Sequence, residues 1–147
     1  MTEVDAALVR RKLARITRNL EDLSTVESLE LEEFIADRFR HKGTERLLQE
    51  TVEAAVDVNL HLVKVAGLAP SQDYFRSFIE VGRHGVIPLA LAERLAPSTG
   101  LRNRLVHEYD AIDDQRVLNA VPDAIRDFGE YVSAVEGWLT ERVGSSR

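Results

Sequence analysis

The stretch Arg102-Asn103-Arg104-Leu105-Val106-His107-Glu108-Tyr109 gathers two arginines, an amide, an imidazole and a phenol into eight positions. Asn103 and His107 are four apart and share a helical face, and Arg102 lies one step round from Asn103. An arginine grips a phosphate through two parallel hydrogen bonds. A histidine, with an ordinary pKa near 6.5, takes or gives a proton at neutral pH. Tyr109 can donate to a phosphoryl oxygen or offer its hydroxyl as a nucleophile. Together these are the parts needed to cut RNA without a metal ion. A base takes the ribose 2′-hydroxyl proton, a cation holds the pentavalent phosphate, and an acid protonates the leaving 5′-oxygen. One imidazole cannot easily serve as acid and base in a single step, so a second copy across a two-fold axis would supply the missing group. By residue type and spacing alone, such a cluster at a helix end is more often a surface hydrogen-bond network.

The elements that must position this segment all read as helical. Gly and Pro number 8 and 4 in 147 residues, and alternating β-branched runs are missing. The spacing predicts a first long helix over 4–23, with the seam Val9, Leu13, Ile16, Leu20 and Leu23 and an outward face of Arg10, Arg11, Arg15 and Arg18. Seven acids and no base lie between Glu21 and Asp37. Ser28 is the expected cap of a short helix there, with Glu30 to Glu33 in its first turn. The sign then flips to Arg38, Arg40, His41 and Lys42, as a solvated junction or a docking patch. Gly43-Thr44-Glu45 is expected to open a second long helix that reaches Ala66, with Gly67 as its stop. Inside its apolar stripe sits Asn59, either a core amide bonded to a neighbouring helix or a group that positions a site. Asp57 and His61 are spaced to meet across one turn, but no third ligand stands at a metal-binding spacing.

Residues 69–72 read as a turn, and 73–82 as a short helix whose Phe75, Phe78, Ile79 and Gly82 share one face. Pro88 fits the first turn of a helix to Leu95. Pro97-Ser98-Thr99-Gly100 breaks it, and a helical segment resumes over 101–107. After a polar turn, the last long helix covers 114–143 with the seam Leu118, Val121, Ile125, Phe128, Val132, Val135 and Leu139. Pro122 kinks it or marks a fresh start, Trp138 is partly exposed, and 144–147 form a frayed tail. The expected architecture is all-α: one domain over 1–147, an up-and-down bundle of three long and two or three short helices.

Composition narrows the function further. The chain has no cysteine, which removes disulfides, thiolate metal sites and a cysteine nucleophile. Its net charge is −6, and its bases are 16 Arg against 3 Lys. A protein that coats nucleic acid over its whole surface is excluded, while a local basic site on an acidic body is not. That site would be a cleft made by Arg102 and Arg104 with first-helix arginines. The longest uncharged stretches are too short to span a bilayer, and Arg10, Arg11, Lys12, Arg15 and Arg18 interrupt any apolar leader. A cytoplasmic location without membrane contact is expected, with no cofactor and no metal.

The segment from Arg102 to Tyr109 resembles the Arg-x4-His-x-Tyr signature of the HEPN superfamily, including the Asn after the Arg. The ordered context is similar to the HepT-like toxin branch: Leu31-Glu32-Glu33-Phe34, Ala36-Asp37-Arg38, Ala55-Val56-Asp57-Val58-Asn59 with His61-Leu62, Tyr74, Phe78 and Val86-Ile87-Pro88-Leu89. This resemblance implies a small helical homodimer whose two motifs face each other across the interface. It implies a metal-independent endoribonuclease, the toxin of a prokaryotic toxin–antitoxin pair. The antitoxin would be a minimal nucleotidyltransferase that silences the toxin by adenylylating Tyr109. Arg102 would stabilise the phosphate, His107 would be the acid/base and Asn103 would orient it, with Asp57 and Asn59 in support. Two other readings fit the same residues. One is a non-catalytic subunit that binds nucleotide or docks a nucleotidyltransferase, and the other is a purely structural dimerisation module.

Overall fold

The side chain of Asp5 accepts the Leu8 N–H at 3.0 Å and starts helix α1 (Ala6–Leu23). Its seam residues Val9, Leu13, Ile16, Leu20 and Leu23 are all buried, as the 4-3-4-3 spacing requires. In this computed structural model residues 3–68, 73–107 and 112–145 are described, with side chains to Arg142. Among them there are seven helices and no strand. No described helix is long and apolar enough to cross a membrane.

Helix α2 (Leu31–Ala36) is capped at Glu30 rather than Ser28. The Glu30 N–H donates to Glu33 Oε1 at 3.2 Å, so the acidic run supplies its own cap. Helix α3 (Arg38–Val65) begins six residues before the expected Thr44. Asp37, whose carboxylate accepts the Arg40 N–H at 3.1 Å, is the cap that wins. Thr44 instead turns its hydroxyl back onto the Arg40 carbonyl at 2.7 Å, a bond available only inside a helix. Phe34, fully buried, packs edge-on against the His41 ring at 5.0 Å and ties α2 to this extra turn. The expected stop at Gly67 is present: its φ is +81°, and the Leu68 N–H returns to the Val63 carbonyl at 3.2 Å.

Helix α4 (Tyr74–Arg83) buries Phe78 and Gly82 of the expected face, with Ile79 half-buried, and adds Ser77 and Val81 in place of Phe75. Phe75 is 47% exposed, because α4 turns Phe78 toward the rings of Phe128 and Tyr131 in the last helix. A Cβ on Gly82 would lie 2.7 Å from the Ala92 Cβ, so only glycine lets α4 approach helix α5 (Leu89–Leu95) this closely. Pro97 ends α5, but the break is shorter than expected. Helix α6 (Ser98–His107) starts at once and takes Thr99 and Gly100 into its first turn. The Ser98 and Thr99 hydroxyls cap the Leu95 and Ala96 carbonyls at 2.6 and 2.8 Å. Four short helices therefore separate the long ones.

Helix α7 (Asp114–Ser145) runs unbroken through Pro122, which is exposed, so no fresh start occurs there. Leu118, Val121, Phe128, Val135 and Leu139 of its seam are buried, while Ile125, Val132 and Trp138 are half-buried. The bundle is built on α3. Helix α1 packs against both α3 and α7, and α4 and α6 also pack against α3.

Candidate functional site

Helix α6 carries the motif along the flank of α3. Leu105 is buried and Leu101 half-buried, and these two residues fix the rotation of α6. That rotation leaves Asn103 and His107 exposed and tucks Arg102 inward. The Arg102 side chain is 17% exposed, and its Nη2 lies 3.5 Å from Glu53 Oε2 of α3. Its Nη1 donates to Asn103 Oδ1 at 3.2 Å. The guanidinium sits over the Tyr74 ring, 5.2 Å from the centroid, in cation–π geometry. Gln49 Nε2 donates to the other Glu53 oxygen at 2.9 Å and holds that carboxylate in place. The buried Arg102 Nε has no hydrogen-bond partner among the described residues. Three helices thus converge on one guanidinium, and Glu53 and Tyr74 are parts of this arrangement that spacing along the chain does not signal.

Residues five apart on a helix stand about 140° apart around its axis. Arg102 and His107 therefore address different directions from one α6, and His107 faces solvent at the helix end. Tyr109, together with Glu108, Asp110 and Ala111, lies outside the described residues.

The two supporting candidates on α3 have engagements of their own. Asp57 accepts Lys12 Nζ at 2.8 Å, and His61 Nε2 accepts the Asp5 N–H at 2.9 Å. Both residues tie α3 to the start and middle of α1. Asn59 is fully buried. Its Nδ2 donates to Ser77 Oγ at 3.2 Å, and its Oδ1 accepts the Tyr131 hydroxyl at 2.6 Å. Tyr131 also lies 3.1 Å from the Ala55 carbonyl, and burial pushes its phenol well above the usual tyrosine range. Both ends of the Asn59 amide are satisfied by core groups of α4 and α7.

Beside α6 opens a cavity of about 460 Å³ between α3, α5, α6 and α7. Leu48, Val52, Leu101, Leu105 and Phe128 give it an apolar lining. Arg94, Arg102, Arg104, Arg116 and Arg126 bring five cations to it, against the carboxylates of Asp123 and Asp127. The cations beyond α6 come from α5 and α7, whereas α1, whose arginines were expected here, does not line the cavity. Of those α1 arginines, Arg10 pairs with Glu136 at 3.3 Å.

A second polar cluster marks the junction of charge signs. His41 Nε2 lies 2.7 Å from Asp114 Oδ1 and 3.4 Å from Glu45 Oε2. These ligand-type atoms lie within 4.8 Å of one another, the one such group of three among the described residues. The junction is thus half-buried at His41, which bridges α3 to the start of α7, rather than solvated throughout.

The sequence model described as ribonuclease HepT-like matches residues 13–135. The chain belongs to the ribonuclease HepT-like family. This HepT-like chain is 36% identical to the tRNA nuclease HepT of Aphanizomenon flos-aquae over 139 residues, 95% of each protein. It is 27% identical over 89 residues to the mRNA nuclease HepT of Shewanella oneidensis, covering 60% of this chain and 67% of that one. Its fold matches a solved structure of the tri-AMPylated Shewanella oneidensis HEPN toxin in complex with MNT antitoxin. The TM-score is 0.78 and the identity 23%, over 93% of this chain and 99% of that chain. The all-α HepT-like bundle expected from the signature is the fold observed.

Proposed function

We propose that this protein is an endoribonuclease, the toxin of a prokaryotic toxin–antitoxin pair, acting in the cytoplasm as a homodimer. One observation carries this reading: the similarity to a tRNA nuclease, 36% identical, extends over 95% of both chains rather than over a fragment. In the proposed reaction His107 removes the ribose 2′-hydroxyl proton. The 2′-oxygen then bonds to phosphorus while the bond from phosphorus to the 5′-oxygen breaks. Arg102 offsets the charge that builds on the phosphoryl oxygens, and Asn103, one step away and bonded to Arg102, orients the pair. The 5′-oxygen takes its proton from His107 of the partner subunit, because one imidazole cannot hold both roles at once and the two motif residues of one α6 diverge. No step uses a metal ion.

The antitoxin would be a minimal nucleotidyltransferase that adds AMP to Tyr109. The Shewanella oneidensis HEPN toxin, of the same fold, is tri-AMPylated in complex with its MNT antitoxin, which supports this control. The deciding experiment incubates wild type and His107→Ala with total RNA in EDTA. Cleavage by the wild type alone is the expected result. Wild-type protein that binds RNA but leaves it intact would reduce the protein to a docking or nucleotide-binding subunit. Cleavage lost in EDTA and restored by magnesium or manganese would overturn the metal-free mechanism.

A further inference from the structure

We propose that the cavity beside α6 is a subsite for a single RNA strand, in which Arg104 and Arg116 hold phosphates away from the one being cut. This rests on the ribonuclease reading and adds two residues to it. The chain as a whole carries −6, so five arginines on one cavity run against its average charge. They are not equivalent. Arg94 and Arg126 both bind the buried Asp127, at 3.3 and 3.0 Å, and reach on to Glu130 and Asp123. Arg102 has Glu53. Arg104 and Arg116 have no carboxylate partner among the described residues. Both also line a smaller cavity of about 60 Å³ next to the first, between Leu101, Ile112 and Val117. Among the described residues the acid there is Asp113, whose Oδ1 accepts the Gln115 and Arg116 N–H groups at 3.0 and 3.3 Å, capping α7 rather than pairing with either guanidinium.

Two guanidiniums without acid partners among the described residues, lining adjoining hollows, form an anion site. The hollows decide which anion. Inorganic phosphate would leave most of 460 Å³ unfilled. An acidic peptide would offer carboxylates but no flat apolar group at each step. A single strand alternates phosphates with bases, and so matches a cavity lined both by arginines and by apolar groups that include the Phe128 ring. Arg102 lines the same cavity, so one strand can run from the motif to Arg104 and Arg116 without crossing the acidic body.

The test uses full-length protein carrying His107→Ala, so that RNA is not cut, and a fluorescently labelled single-stranded oligoribonucleotide. Anisotropy is titrated over a range of KCl concentrations. The proposal expects Arg104→Ala with Arg116→Ala to weaken binding at least tenfold near 0.1 M salt. The slope of log affinity against log salt should flatten by about 1.4, roughly 0.7 per lost contact to a single strand. Arg116→Glu alone, a surface change that leaves the core intact, should weaken binding further than Arg116→Ala. An unchanged slope in the double variant overturns the subsite. So does a slope that responds instead to Arg15→Ala with Arg18→Ala on α1, and so does AMP binding as tightly as the oligoribonucleotide. Cleavage is scored separately on protein with His107 intact. A protein that cuts nothing yet shows the flattened slope fails as a ribonuclease and keeps the subsite. One that cuts RNA with the slope unmoved keeps the activity and loses the subsite.

Discussion

Arg102 Nη2 sits 3.5 Å from Glu53 Oε2, so the motif cation is matched to a carboxylate of α3 before any phosphate reaches it. Gln49 steadies that carboxylate from the preceding turn. In the proposed reaction a substrate phosphate would therefore compete with Glu53 for the guanidinium.

Replacing Glu53 by Gln removes the competing charge and keeps an acceptor for Gln49. RNA affinity should rise by up to about fivefold, the equivalent of a part-exposed ion pair near 1 kcal/mol. Anisotropy titrations of Glu53→Gln against wild type measure this. Weaker binding in the variant would show that Glu53 serves to aim Arg102 rather than to restrain it.

The Asn59–Tyr131–Ser77 network should show up in stability and not in chemistry. Asn59→Leu removes the donor to Ser77 Oγ, which keeps its own bond to the Tyr74 carbonyl, and leaves the Tyr131 hydroxyl only the Ala55 carbonyl, while Tyr131→Phe leaves Asn59 Oδ1 without a donor. Each should cost about 1–3 kcal/mol, and a chain of this size melts roughly 2–4 °C lower per kcal/mol. Because the two share one bond, the double variant should lose less than the sum of the singles. Strict additivity in thermal melts would show that the residues act independently.

Tyr131 also sets an alkaline limit. Its folded pKa is raised above the ordinary 10.0 by burial. Above pH 10 the unfolded chain gives up the phenolic proton while the folded chain keeps it, so unfolding gains as pH rises. The stabilisation is fully present below pH 10 and is lost above it. Denaturant midpoints measured from pH 8 to 11 should fall more steeply for wild type than for Tyr131→Phe. Parallel curves would contradict this assignment.

Adenylylation should depend on Tyr109. One AMP on that hydroxyl would add a phosphodiester charge and a base two residues past His107, and is expected to offset the field of Arg102 without refolding the bundle. Intact-mass measurements after incubation with the antitoxin and ATP should find no AMP on Tyr109→Phe. Labelling equal to wild type would move the target to Tyr74, since Tyr131 is 0% exposed and out of an enzyme's reach.

A composite site requires two copies of α6 facing each other, and hence an isologous dimer. Sedimentation at micromolar concentration should report twice the chain mass. A monomer, or a dimer whose cross-links place the two His107 side chains on opposite outer faces, would defeat the shared-histidine mechanism.

What the sequence determined alone is whatever depends on residues within a few turns of one another. The seams of α1 and α7 were legible because helical periodicity places Val9, Leu13 and Ile16, or Leu118, Val121 and Phe128, on one stripe whatever packs against it. The signature from Arg102 to Tyr109 was legible for the same reason, since its spacing is local. Caps were only half legible. Asp37 and Thr44 both qualify by type, and the choice fell to Asp37 as Phe34 packed on His41 and His41 bonded to Asp114. Phe75 and Phe78 are near neighbours along one short helix, and only contact with Phe128 and Tyr131 selected which was buried. The partners of the site were decided by tertiary structure alone. Glu53 is 49 residues from Arg102, and Arg116 reaches the cavity on a helix that begins after the motif has ended. Such pairs depend on how α6 and α7 are rotated against α3. That rotation is set by the burial of Leu105, Phe128 and their neighbours together, a cooperative property that no local spacing encodes.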